Sequence, residues 1–184
     1  MNLPNKLTIL RVILIPVFMV LYKIDMPVAF SLFGLDVTWN MILADIVFII
    51  ASITDWADGY IARKDGIVTN FGKFMDPLAD KLLVTAALLC MMEDGICNMW
   101  VVMIILAREF IVTGVRLIAA SEGKVIAAGK MGKLKTVVQM FTIIFAMITG
   151  SNIVIEICFW ISAFLTALSG FGYIKDNLHV FKTE

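Results

Sequence analysis

The stretch Asp55-Trp-Ala-Asp58-Gly59-Tyr-Ile-Ala62-Arg63, followed eight residues later by Gly72-Lys-Phe-Met-Asp76-Pro-Leu-Ala-Asp80, places four carboxylates inside two long apolar runs. At ~100° per residue, Asp55, Asp58, Gly59 and Ala62 fall within about a third of a helix circumference. Gly72, Asp76 and Asp80 form one stripe on the next helix. Two adjacent antiparallel helices would then each present two carboxylates, with small residues on the same stripes. The absence of a side chain at Gly59 and Gly72 lets a helix or a bulky ligand approach the backbone closely.

The surroundings make these acids costly. Of 184 residues, 61% are hydrophobic and only 16% charged, more apolar surface than one water-soluble core can hide and too much for a disordered chain. Fifteen Lys and Arg balance fifteen Asp and Glu, which argues against nucleic acid as a partner. Apolar runs near residues 7–22, 41–63, 71–92, 99–120, 134–150 and 153–174 approach the ~20 residues that a spanning helix needs. The expectation is an all-α polytopic membrane protein, a bundle of about six transmembrane helices forming a single domain over residues 1–184. Residues 25–39 fit this pattern least: they are apolar in part but hold Pro27 and Gly34, and suggest an interfacial or re-entrant piece.

Charge asymmetry orients the bundle. With the N-terminus inside, the inner side receives Lys6, Arg11, Arg63, Lys64, Lys73, Lys81, Arg116, Lys124, Lys130, Lys133, Lys135, Lys175 and Lys182. The outer side keeps Lys23 with Asp25, Asp36, Glu93 and Asp94. Both termini, and the four aspartates, which lie within about 12 Å of the helix ends at Arg63 and Gly72, are therefore expected on the cytoplasmic side. Each carboxylate facing lipid at mid-bilayer would cost on the order of 3 kcal/mol. Salt bridges to Lys73, Lys81 or Arg63 are the plain alternative, but they leave Gly59 and Gly72 unexplained. A pair of hard divalent cations neutralises four carboxylates and suits oxygen ligands. Cys90, Cys97 and Cys158 lie in apolar surroundings without a CxxC pair, and His179 stands alone, so neither a zinc site nor a disulfide framework is readable.

At these residues the chain resembles the CDP-alcohol phosphotransferase family, whose signature is DxxDGxxAR, seven or eight residues, then GxxxDxxxD. Every defined position is filled: Asp55, Asp58, Gly59, Ala62, Arg63, Gly72, Asp76 and Asp80. The stretches Asn2-Leu-Pro-Asn-Lys-Leu-Thr-Ile-Leu-Arg11, Asp76-Pro-Leu-Ala-Asp-Lys-Leu-Leu83 and Gly132-Lys-Leu-Lys-Thr136 resemble the bacterial members that form phosphatidylglycerophosphate. The resemblance implies transfer of a phosphatidyl group from CDP-diacylglycerol to sn-glycerol 3-phosphate with release of CMP, a step of phospholipid biosynthesis in the cell membrane. It implies two Mg²⁺ ions, or Mn²⁺, held by Asp55, Asp58, Asp76 and Asp80, with Asp80 also the general base. Gly59, Ala62, Arg63 and Gly72 would frame the cytidine diphosphate, and Asn5, Thr8 and Thr69 would touch it, although Asn5 also suits a helix cap.

The acceptor's phosphate needs cations of its own. Arg108 and Arg116 lie eight residues, about 12 Å, apart on the fourth run, and Lys133 and Lys135 open the fifth. Arg108 has a second reading, pairing with Glu109 or a motif aspartate. The family also suggests a homodimer, to which Gly114 and Gly170 could give close helix contacts. Two rival functions remain open on sequence: a relative using another acceptor, inositol phosphate above all, and a divalent-cation transporter built around the acidic cluster.

Overall fold

The structure, a computed structural model, describes the backbone over residues 3–32, 35–65, 70–121 and 129–177. Within these ranges it describes the side chains of all but 3–5, 32, 55–60, 62–65, 70–77, 120, 121 and 130. Each apolar run is helical: α1 (Leu3–Lys23), α2 (Trp39–Asp65), α3 (Asn70–Glu93), α4 (Met99–Ser121), α5 (Lys130–Thr149) and α6 (Ile153–Asp176). The described residues between Asp25 and Thr38 are not helical. They form an antiparallel hairpin of β1 (Val28–Leu32) and β2 (Leu35–Thr38), with a bulge between Val28 and Phe30. Pro27 explains the break: it cannot continue α1, and its carbonyl accepts the Trp39 N–H at 3.2 Å, which closes the base of the hairpin where α2 begins.

The chain gathers into two compact units, Met1–Glu93 with Met147–Gly150, and Asp94–Ala146 with Ser151–Glu184. In the first, α1 packs against both α2 and α3. Phe18 lies between Tyr22 and Phe48, with ring centroids 6.0 and 5.9 Å away, so aromatic contacts knit α1 to α2. On α3 the buried positions Ala79, Leu83, Ala86, Ala87, Cys90 and Met91 recur at three- and four-residue steps along one face, and Leu88 is buried on the opposite side. Asp45 of α2 is buried too, and its Oδ1 has no hydrogen-bond partner among the described residues.

In the second unit α4 packs along α6. The buried face of α6 carries Phe159, Ser162, Ala163, Thr166, Ser169, Gly170 and Tyr173. The hydroxyl of Thr166 donates to the Ser162 carbonyl at 2.7 Å, and that of Ser169 to Thr166 at 3.0 Å. The Thr166 and Ser169 hydroxyls are thus satisfied within their own helix, and the small side chains of this face permit close packing. Gly150, at φ +63°, ends α5, and the Asn152 side chain then accepts the Ile155 N–H at 3.0 Å to start α6.

Outward-facing side chains are strongly apolar. Phe110, Phe164 and Phe171 are each more than 60% exposed, a surface suited to lipid rather than water. The segment Met131–Thr149 and α6 are each long and apolar enough to cross a membrane.

Candidate active site

Two contacts fix the relative direction of the helices in the first unit. Lys23, the last residue of α1, pairs with Glu93, the last of α3, at 3.1 Å. The Asn40 side chain, in the first turn of α2, donates to the Tyr22 carbonyl at 3.2 Å. The end of α1, the start of α2 and the end of α3 therefore meet, so α1 and α3 are parallel and α2 runs against both. Counting 1.5 Å per residue from that common end brings several positions to one level. Arg11 lies about 18 Å along α1, Asp80 about 20 Å along α3, and Thr8 and Asp55 each about 22 Å along their helices.

The backbones that carry Asp55 and Asp80 thus stand beside the N-terminal half of α1. Asp58, Gly59, Ala62 and Arg63 continue along α2 toward the far end, and Asp76 and Gly72 do so along α3. The side chains of Asn5, Asp55, Asp58, Ala62, Arg63 and Asp76, and the surroundings of Gly59 and Gly72, lie outside the described residues, as does Thr69 altogether. Among the described residues no group of three or more His, Cys, Asp or Glu side chains converges.

Two α1 side chains at the Asp55 and Asp80 level are fully buried: Thr8 and Arg11, each with no exposed surface. They stand three residues apart, on one face of a helix that contacts both α2 and α3. Sequence reasoning counted Arg11 only as a topology charge. Its position within an apolar run, one turn from Thr8, was the available signal, because an arginine so placed must be buried against protein polar groups or reach the membrane interface. Asp80 is exposed on α3 beside the buried Ala79. The backbones of Asp55 and Asp80 thus belong to two contacting helices at the level of a buried hydroxyl and guanidinium on α1, and carboxylate oxygens are the donor type that hard divalent cations take.

The cations expected to meet the acceptor lie in the second unit, where the described side chains form a network. Glu109 Oε1 accepts from Arg108 Nη1 at 3.1 Å and from Lys135 Nζ. Lys135 is buried, which a lone ammonium would resist, and the Glu109 carboxylate offsets that cost. Arg116 Nε donates to the Tyr173 hydroxyl at 3.2 Å while its guanidinium carbon stands 5.5 Å from the ring centroid, so α6 steadies it. Lys133 is exposed. Of the two destinations open to Arg108 on sequence, pairing with Glu109 is present. The double role of Glu109 had no signal beyond adjacency, because its contact with Lys135 joins residues 26 apart.

The CDP-alcohol phosphatidyltransferase family matches residues 1–168. A CDP-diacylglycerol–glycerol-3-phosphate 3-phosphatidyltransferase of Bacillus subtilis (strain 168) is 42% identical, with all of this chain and 98% of that protein aligned. Proteins of the same name from Rickettsia bellii (strain RML369-C) and Escherichia coli (strain K12) are 40% and 36% identical. In each case 95% of this chain is aligned, with 94% and 93% of the relative covered.

Proposed function

The chain belongs to the CDP-alcohol phosphatidyltransferase family, and on that premise we infer its reaction: transfer of a phosphatidyl group from CDP-diacylglycerol to sn-glycerol 3-phosphate, giving phosphatidylglycerophosphate and CMP. The observation that carries the reading is the full-length 42% identity to a protein named for that reaction. The acceptor's 1-hydroxyl oxygen forms a bond to the phosphorus that bears diacylglycerol. The bond from that phosphorus to the bridging oxygen breaks, CMP leaves with the electron pair, and the hydroxyl proton passes to a base.

Asp80 is that base, and its exposure on α3 makes it accessible to an incoming hydroxyl. Asp55, Asp58, Asp76 and Asp80 would hold two Mg²⁺ or Mn²⁺ ions. When bound, these ions neutralise the carboxylates and stabilise the charge on attacking and leaving oxygens. Arg63 donates charge-assisted hydrogen bonds to the diphosphate, Gly59, Ala62 and Gly72 leave room for cytidine, and Asn5, Thr8 and Thr69 orient the nucleotide. Arg108, Arg116, Lys133 and Lys135 attract and hold the acceptor's phosphate.

The whole chain is a single multi-pass catalytic domain in the cell membrane, with the site and both termini facing the cytoplasm. The positive-inside distribution of its charges supports this orientation. Lipid tails of the donor lie among apolar outward faces such as those of Phe110 and Phe164, and the protein pairs as a homodimer. The test supplies purified protein with Mg²⁺, CDP-diacylglycerol and one acceptor at a time: glycerol 3-phosphate, inositol phosphate, serine or inositol. Lipid products are identified by mass. Phosphatidylglycerophosphate formed one-for-one with CMP is the expected outcome; product from inositol phosphate alone would reassign the acceptor.

A further inference from the structure

Arg108 is held from three sides within the second unit. Its Nη1 binds Glu109 Oε1 at 3.1 Å. Its aliphatic stem lies against Gly170 of α6, so closely that a Cβ built there would stand 2.8 Å from Arg108 Cγ. Its Nη2 lies beside Gly132 in the first turn of α5, where a Cβ would stand 3.4 Å away. Nε is buried with no hydrogen-bond partner among the described residues, and only 11% of the side chain is exposed. A real Cβ essentially never approaches another carbon to 2.8 Å, so any residue larger than glycine at 170 must displace the arginine stem. Gly172, two residues on, has open space where a Cβ would stand.

Glu109 completes the arrangement. By accepting from both Arg108 and Lys135 it ties α4 to α5 and cancels one of two close positive charges. The pair keeps one net positive charge and an unspent donor on Arg108 Nε.

We propose that Glu109 and Gly170 are positioning residues: together they hold the Arg108 guanidinium, with its spare donor, for the phosphate of the acceptor. The assignment rests on the acceptor-site reading of Arg108. It extends the functional residues to Gly170, beyond the 1–168 region matched by the family. Neither residue touches substrate; each acts through Arg108.

The test measures kcat and both KM values for full-length Gly170→Ala, Glu109→Ala, Glu109→Gln, Arg108→Ala and Gly172→Ala enzymes that retain the wild-type elution profile in detergent. Losing one hydrogen bond to a charged group corresponds to about a tenfold rise in KM. Gly170→Ala and Glu109→Ala are expected to raise KM for glycerol 3-phosphate by about that factor. KM for CDP-diacylglycerol should change less than about twofold, and Gly172→Ala should match wild type. Glu109→Gln, which keeps an acceptor oxygen, should recover part of the loss, and it carries the test where Gly170→Ala does not fold. If Arg108→Ala raises KM for glycerol 3-phosphate while the Gly170 and Glu109 variants do not, positioning is overturned and the acceptor site stands. If Arg108→Ala leaves that KM unchanged, both are overturned.

Discussion

The two units solve the problem of charge among apolar helices in opposite ways. In the α1–α3 unit the sequence collects four carboxylates, Asp55, Asp58, Asp76 and Asp80, on α2 and α3. In the α4–α6 unit the cations are half neutralised from within: Glu109 bridges Arg108 and Lys135, and Tyr173 steadies Arg116. For the acidic cluster we propose exchangeable divalent ions as the balancing charge. A basic cluster that is partly compensated holds its shape and still keeps a net positive charge, which is why we propose it as the anion-selecting side.

The contrast breaks most sharply on the acidic side. Asp55→Asn or Asp80→Asn should lower CMP release by at least about a hundredfold while the protein still inserts into membranes, since each substitution removes a charged oxygen ligand or the base. Retained turnover in both variants would leave the carboxylates with no catalytic role. On the basic side the effects should be smaller and confined to one substrate. Arg116→Ala or Lys135→Ala should raise KM for glycerol 3-phosphate by about tenfold with KM for CDP-diacylglycerol unchanged; equal loss for both substrates would mean that the second unit does not discriminate between them.

The smallest effect reports on the turn that leads into the basic unit. Cys97 is buried there, its Sγ 3.8 Å from the Asn98 carbonyl, and burial pushes its thiol up to about 12. Burial favours the neutral form, so the stabilisation is full below the ordinary thiol range and is lost as pH rises toward 12. At pH 8 the folded protein should resist maleimide at Cys97, with labelling appearing on denaturation. Rapid labelling of the folded protein would show that the turn is open.

How much could be read in advance follows the same division. The helices were legible because long apolar runs bounded by Gly95, Asn98, Gly150 and Asn152 carry both the pattern and the stop and start signals. The acidic stripes were legible because DxxD and GxxxDxxxD spacing fixes a helix face locally. The β1–β2 hairpin was not, since Val28–Leu32 and Leu35–Thr38 are too short to display a period against the apolar background. The burial of Arg11 was not legible, because Lys/Arg counting assigns a side of the membrane and says nothing of packing, and α1 packing buries this residue completely. The Glu109–Lys135 contact and the Arg108–Gly170 fit join distant residues across helices, and no local spacing announces them.

The claim at the centre of this account is that Asp55, Asp58, Asp76 and Asp80 together bind two divalent ions. Titration of the detergent-purified protein with Mn²⁺, followed by the loss of the free-ion electron paramagnetic resonance signal, measures it without any turnover. The account predicts two bound ions per chain, displaced by Mg²⁺, and a loss of at least one in Asp76→Asn. Binding that is absent in the wild type, or unchanged in Asp76→Asn, would contradict it.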